Sequence, residues 1–93
     1  MAYAVLFSPK SMSKAKYDEA IARLEQVGAA PTQADGIVHH TCFGEDGKLR
    51  VLDVWESLEK FQAFGAILGP ILAEVGIDPG EPEVAEVHND AVK

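Results

Sequence analysis

Residues 37 to 57 read IVHHTCFGEDGKLRVLDVWES, two β-like runs on either side of a glycine-bounded turn. The runs over 37–43 and 49–56 are rich in β-branched and aromatic residues, and Asp46-Gly47 sits between them. Asp-Gly at that place is a strong hairpin signal, because both turn positions tolerate positive φ. With the turn centred on Asp46-Gly47 and Glu45 opposite Lys48, Cys42 faces Val51, His40 faces Asp53 and Val38 faces Trp55. A three-residue turn slips this register by one and sets His39 opposite Asp53 instead.

Outward from the hairpin, each flank repeats one pattern. Upstream, Tyr3-Ala4-Val5-Leu6-Phe7 is a short apolar run stopped by Ser8-Pro9, which reads as a first strand. Ser13 is placed to cap a helix carrying Tyr17, Ala20, Ile21, Leu24 and Val27 on one stripe, and Gly28 stops it. Residues 29–36, with Pro31 and Asp35-Gly36, form a loop. Downstream, Ser57 caps a second helix that buries Leu58, Phe61, Phe64 or Gly65, Leu68, Leu72 and Val75. Pro70 lacks a backbone donor, so a kink or break is expected near Gly69-Pro70. Gly65 and Gly69 either permit close helix–sheet approach or leave room for a ligand. A turn over 77–82 leads to a final strand over 83–88.

The order β-α-β-β-α-β is the split βαβ arrangement of a ferredoxin-like α+β fold, a four-stranded antiparallel sheet with both helices on one face. Leu49, Val51 and Trp55 lie on one side of the third strand, with Leu52 and Val54 on the other. Helices cover only one side, so the second apolar side calls for another cover, and a second copy of the chain is the expected one. Arg50 and Glu56 fall on that second side and are expected to form ion pairs between subunits.

At 93 residues the chain holds one small domain, read as 1–88 with a frayed tail over 89–93. Apolar residues make up 47 % of it, enough for a packed core. A net charge of −7 without a basic stripe excludes nucleic acid and anionic lipid surfaces as expected partners. The longest apolar stretch, residues 61–75, is too short and too interrupted to span a bilayer. With a single cysteine and no charged-then-apolar leader at the N-terminus, a reducing cytoplasmic setting is expected.

The two adjacent histidines face opposite sides of their strand, which makes them a poor chelate. His40 and Cys42 share a face but stand about 7 Å apart along the strand. Cys42 has only Val51 opposite it, and His88 belongs at the far edge of the sheet. A metal needs three or more converging ligands, so none is expected. Cys42 has no cation placed to lower its pKa and reads as a small buried hydrophobe. What remains is His40 across from Asp53, on the same face as Trp55. The two either satisfy each other's hydrogen bonds within the sheet, or form a general base that acts on a ligand, with Asp53 fixing the imidazole tautomer.

Val54-Trp55-Glu56-Ser57 running into a helix with Phe61 and Phe64 resembles the dimeric α+β-barrel superfamily, in its antibiotic-biosynthesis-monooxygenase-like group. The likeness spans nearly the whole chain in element order. It implies two ferredoxin-like sheets paired into a barrel, a small pocket per subunit, and a pocket tryptophan at Trp55. The haem-degrading branch of that superfamily also wants an asparagine on the first strand and a histidine on the second helix, and this chain has neither. The expectation is therefore a homodimeric, cofactor-independent monooxygenase or isomerase acting on a small aromatic or apolar substrate. Trp55, Phe61 and Phe64 would shape its pocket, and His40 with Asp53 would move or hold a proton. The alternative is a non-enzymatic homodimer that binds a small molecule or only holds its own sheet together.

Overall fold

In the computed structural model, which describes residues 1–91, the elements follow the expected order. They are β1 (Tyr3–Phe7), α1 (Lys14–Gln26), β2 (Ile37–Phe43), β3 (Arg50–Trp55), α2 (Leu58–Val75) and β4 (Glu83–Glu86). The strands form one sheet in the order β2-β3-β1-β4, and every neighbouring pair is antiparallel. This is the ferredoxin-like arrangement, with the hairpin strands β2 and β3 at one end and β4 at the other edge.

The hairpin register follows the Asp46-Gly47 turn. Cys42 pairs with Val51 and His40 with Asp53, and the Lys48 N–H donates to the Glu45 carbonyl at 2.8 Å. Only Gly47 of the two central turn residues takes a positive φ, +86°. Asp46 keeps an ordinary backbone and uses its carboxylate elsewhere, accepting the Lys14 N–H at 2.8 Å. It shares the start of α1 with the Ser13 hydroxyl, which accepts the Lys16 N–H at 3.1 Å, so the hairpin tip is tied to the helix that packs over it.

Three details differ from the expected pattern. At the open end of the hairpin, Trp55 pairs with Ile37 rather than Val38, because the register shifts between Ile37 and His39. One extra residue on β2 is a β-bulge, and it leaves Val38 48 % exposed while Ile37 turns toward the core. Second, α2 runs unbroken through Pro70. Pro70 and Ala66 are both exposed, so the Ala66 carbonyl that loses its helical partner faces water and the helix need not break there. Third, β4 ends at Glu86 rather than reaching His88, with one more ladder bond from the Val87 N–H to the Ala2 carbonyl at 2.9 Å.

The core lies between the helices and the inner sheet face, where Val5, Val51, Asp53 and Trp55 meet Ala20 and Leu24 of α1 and Phe64 and Leu72 of α2. The other sheet face is partly covered by the chain itself. His39 points to that face and pairs with Asp90 at 3.0 Å. β4 and β2 are three strand spacings apart, about 14 Å, so the residues just after β4 cross the sheet to make this contact. The crossing meets β2 at the level of Val54, the register partner of His39 and a buried residue despite facing away from the helices. Leu52 on the same face stays 40 % exposed. Of the expected tail, residues 92 and 93 lie outside the described residues. Within the single chain the Arg50 guanidinium lies 4.7 Å from the Phe43 ring centroid. No helix is long and apolar enough to cross a membrane among the described residues.

Gly65 and Gly69 are not required for close helix–sheet approach, because a Cβ built at either would meet nothing within 4 Å. Gly65 sits in mid-helix, and replacing it by alanine removes backbone entropy from the unfolded chain without a steric cost. Gly65→Ala is expected to stabilise the fold by about 0.5–1 kcal/mol in a urea titration.

Candidate functional site

Three polar side chains from three elements meet between the sheet and α1. Asp53, on β3, is 3 % exposed and is the only buried charged residue among those described. A carboxylate in that position must be matched by a donor, and the cross-strand neighbour supplies one. His40 Nδ1 lies 2.6 Å from Asp53 Oδ1. On its other side, His40 Nε2 lies 2.6 Å from the hydroxyl oxygen of Tyr17. The Tyr17 and His40 rings are nearly parallel, 11° apart with centroids at 6.0 Å.

The network fixes the proton positions. A carboxylate only accepts, so Nδ1 carries the proton and donates it to Asp53. In the neutral ring, Nε2 is then the acceptor, and the Tyr17 hydroxyl donates to it. The Tyr17 phenol holds its proton firmly. Burial first, and then the charge Cys42 takes on when it ionises at high pH and those of Asp53 and Asp18, push it from the ordinary value near 10 up to about 12. Burial, with Asp18 in support, also raises the Cys42 thiol, which keeps it protonated and unreactive at neutral pH.

Tyr17, His40 and Asp53 form the polar end of a small cavity of about 60 Å³. Apolar side chains from the sheet (Phe7, Val51) and both helices (Ile21, Leu24, Phe64, Leu72) line the rest. The expected catalytic pair, His40 and Asp53, is therefore brought together and faces this cavity. Of the three aromatic residues expected to shape a pocket, Phe64 lines it and Trp55 and Phe61 do not. Trp55 is fully buried and packs against Phe64 at 4.9 Å and Phe61 at 6.0 Å between ring centroids. Its indole N–H has no hydrogen-bond partner among the described residues.

Tyr17 belongs to the site and was legible in the sequence only as one position of the α1 stripe. The available signal was a phenol at the head of an otherwise aliphatic stripe, on a helix that must cross the hairpin. His39, by contrast, faces the other side of the sheet, and His88 is exposed beyond the end of β4. No three His, Cys, Asp or Glu side chains converge as a metal site would require, among the described residues.

A four-stranded antiparallel sheet with two helices in β-α-β-β-α-β order is the fold of antibiotic-biosynthesis-monooxygenase-like proteins. Solved structures with this fold match the chain almost end to end. A mutant of SnoaB, a cofactor-independent oxygenase from Streptomyces nogalater, superposes with a TM-score of 0.70 at 15 % identity, covering 99 % of this chain and 98 % of that one. A candidate antibiotic biosynthesis monooxygenase from Chloroflexus aurantiacus gives 0.64 at 17 % identity over 100 % of both chains. Rv0793 from Mycobacterium tuberculosis gives 0.65 at 14 % identity, covering 99 % of this chain and all of that one. At these identities the likeness is one of fold. No family model matches the sequence, and no curated protein does.

The buried phenol has a measurable signature. Comparing the wild type with Tyr17→Phe by near-ultraviolet titration should show that Tyr17 is still un-ionised when pH passes 10. Unfolded chain releases this proton first, so the folded protein binds more protons through that window and stability falls as pH rises from 10 toward 12. Tyr17→Phe should lose less stability than the wild type over the same range.

Proposed function

We propose that this chain is a cofactor-independent monooxygenase acting on a small aromatic or apolar substrate, and that it works as a homodimer. The observation that carries the proposal is the His40–Asp53 pair, whose second ring nitrogen lies with the Tyr17 hydroxyl at the polar end of an apolar cavity. A histidine held in one tautomer by a buried carboxylate is arranged to accept a proton from a bound ligand. The fold shared with SnoaB, itself described as a cofactor-independent oxygenase, adds support.

His40 Nε2 would remove a proton from an acidic C–H or O–H of the substrate, and the apolar walls would keep the resulting anion electron-rich. That anion reduces dioxygen and forms a carbon–oxygen bond. Loss of water from the hydroperoxide then converts a CH₂ into a carbonyl. One oxygen atom enters the product and the other leaves as water, so the four-electron oxidation of the substrate balances the reduction of O₂. The imidazolium gives its proton to the peroxide anion, which forms the hydroperoxide and returns His40 to the neutral state. Asp53 does not change protonation state. It holds the ring and stabilises the imidazolium while the proton is present.

A second role, binding without catalysis, is favoured by one feature of the same site. His40 Nε2 is already bonded to Tyr17, and a polar set that satisfies itself needs no substrate. Oxygen uptake with a panel of anthrone-type and hydroxyaromatic compounds separates the two. The wild type should consume O₂ with at least one compound, and His40→Ala should lower kcat by about a hundredfold or more. His40→Ala leaves Asp53 without its partner in the core, so circular dichroism must show that the variant is folded. If no compound is oxidised while ligands still bind, the binding role stands.

The homodimer is supported by the helix-free sheet face, where Leu6 and Leu52 remain beyond the cover that the crossing segment provides. A second copy set against this face would bury them. Light scattering at micromolar concentration should give the mass of a dimer, and Leu52→Lys should lower it toward that of one chain. A monomeric wild type would remove the homodimer. The lone free cysteine goes with a reducing, cytoplasmic setting.

A further inference from the structure

We infer that Tyr17 is a displaceable plug: its phenol occupies on His40 the place of a substrate hydroxyl, and an uncharged hydroxyaromatic ring enters by pushing it aside. The inference rests on His40 being the ligand-facing group and adds the route and the ligand class.

The acceptor at His40 Nε2 has one good hydrogen-bonding direction, and the Tyr17 hydroxyl fills it at 2.6 Å. A ligand that gives its proton to Nε2 must take the same direction, so Tyr17 has to leave it. Size leads to the same result. The cavity beyond Tyr17 is about 60 Å³. An apolar cavity that holds benzene measures about 150 Å³. With Tyr17 in place, the space beyond it is well short of the size that holds an aromatic ring.

On the far side of Tyr17 the surface carries a groove of about 340 Å³ lined by Asp18, Ala22, Glu25, Ala30 and Thr32, among others. Four residues line both spaces: Tyr17, Ile21, Pro31 and His40. These four are the partition. Pro31 is part of a fixed backbone turn, Ile21 is stiff at χ1, and His40 is anchored by Asp53. Tyr17 is the member whose side-chain polar contact is a single hydrogen bond, to His40. Rotation of that one side chain joins the groove to the cavity, and the groove alone already has the size of a small-molecule site, about 300–1,000 Å³.

The plug also indicates its replacement. A neutral phenol sits stably on the imidazole in the resting chain, so the same group on a ligand recovers the bond that opening breaks. Asp18 and Glu25 line the groove and would repel an anionic ligand before it arrived. The matching ligand is therefore an uncharged ring bearing a hydroxyl.

The test measures binding rather than turnover, with 1-naphthol and naphthalene as probes and calorimetry as the readout. Tyr17→Phe keeps the ring but removes the bond that must be broken on opening. It should bind 1-naphthol about fivefold more tightly than the wild type. Both proteins should prefer 1-naphthol to naphthalene several-fold, and 1-naphthol should shift the His40 Nε2 resonance in the wild type. Unchanged or weaker 1-naphthol binding by Tyr17→Phe overturns the plug, since Tyr17 would then be an ordinary contact. Equal affinities for the two probes, or no binding by either protein, overturn it as well. Tighter binding by Tyr17→Phe together with no oxygen uptake on any compound keeps the plug and removes the oxygenase.

Discussion

A carboxylate buried on the inner face of a sheet constrains everything around it. Asp53 sits between Val5 on β1 and His40 on β2, beneath two helices, with almost no exposure. Left without a donor there, it would cost several kcal/mol, enough to cancel much of a small domain's net stability. His40 meets that need at 2.6 Å, and the hairpin register that brings it there is the one in which Cys42 also meets Val51 and Phe43 meets Arg50. A slip by one residue would offer His39 instead and turn the inner residues of β2 outward. The polar pair and the apolar pattern thus specify the same register.

From that pair the site follows with few added parts. Because Asp53 occupies Nδ1, the remaining nitrogen of His40 must face α1, and the α1 residue opposite is Tyr17. The Ser13 cap sets where α1 begins, and therefore which of its residues lies over the hairpin. Asp46 fastens the same helix start to the hairpin tip. Two local signals, a turn and a cap, thereby position a three-residue hydrogen-bonded chain at the end of an apolar cavity. The same economy accounts for Trp55. At the bulged end of the hairpin it is packed by Phe61 and Phe64 as part of the core, and Phe64 carries that packing to the cavity wall.

The two faces of the sheet are treated differently. The inner face is closed by helices and carries the chemistry-bearing groups. The outer face is crossed by the residues after β4, which the His39–Asp90 contact ties down, yet Leu52 remains open beside them. The pair of adjacent histidines is divided between these roles, His40 inward to Asp53 and Tyr17, His39 outward to Asp90. One stretch of strand therefore serves both the cavity and the outer surface, because consecutive side chains alternate.

The sequence by itself determined the element order, both helix caps and the turn, and it narrowed the partner of Asp53 to His40 or His39, between which the folded hairpin chose His40. All of these rest on contacts close along the chain or on strict two-residue and 3.6-residue periods. The bulge at Val38 was not legible, since a single extra residue leaves the alternating pattern of the flanks intact. Continuity of α2 through Pro70 depended on which side of the helix met water. Tyr17 as partner of His40, the cavity with its four-residue partition, and the crossing of the outer face by the residues between β4 and Asp90 were decided by tertiary structure alone. Each depends on how far apart in space two distant segments come to lie, a distance set by the packing of helices on a twisted sheet that no local run of residues encodes.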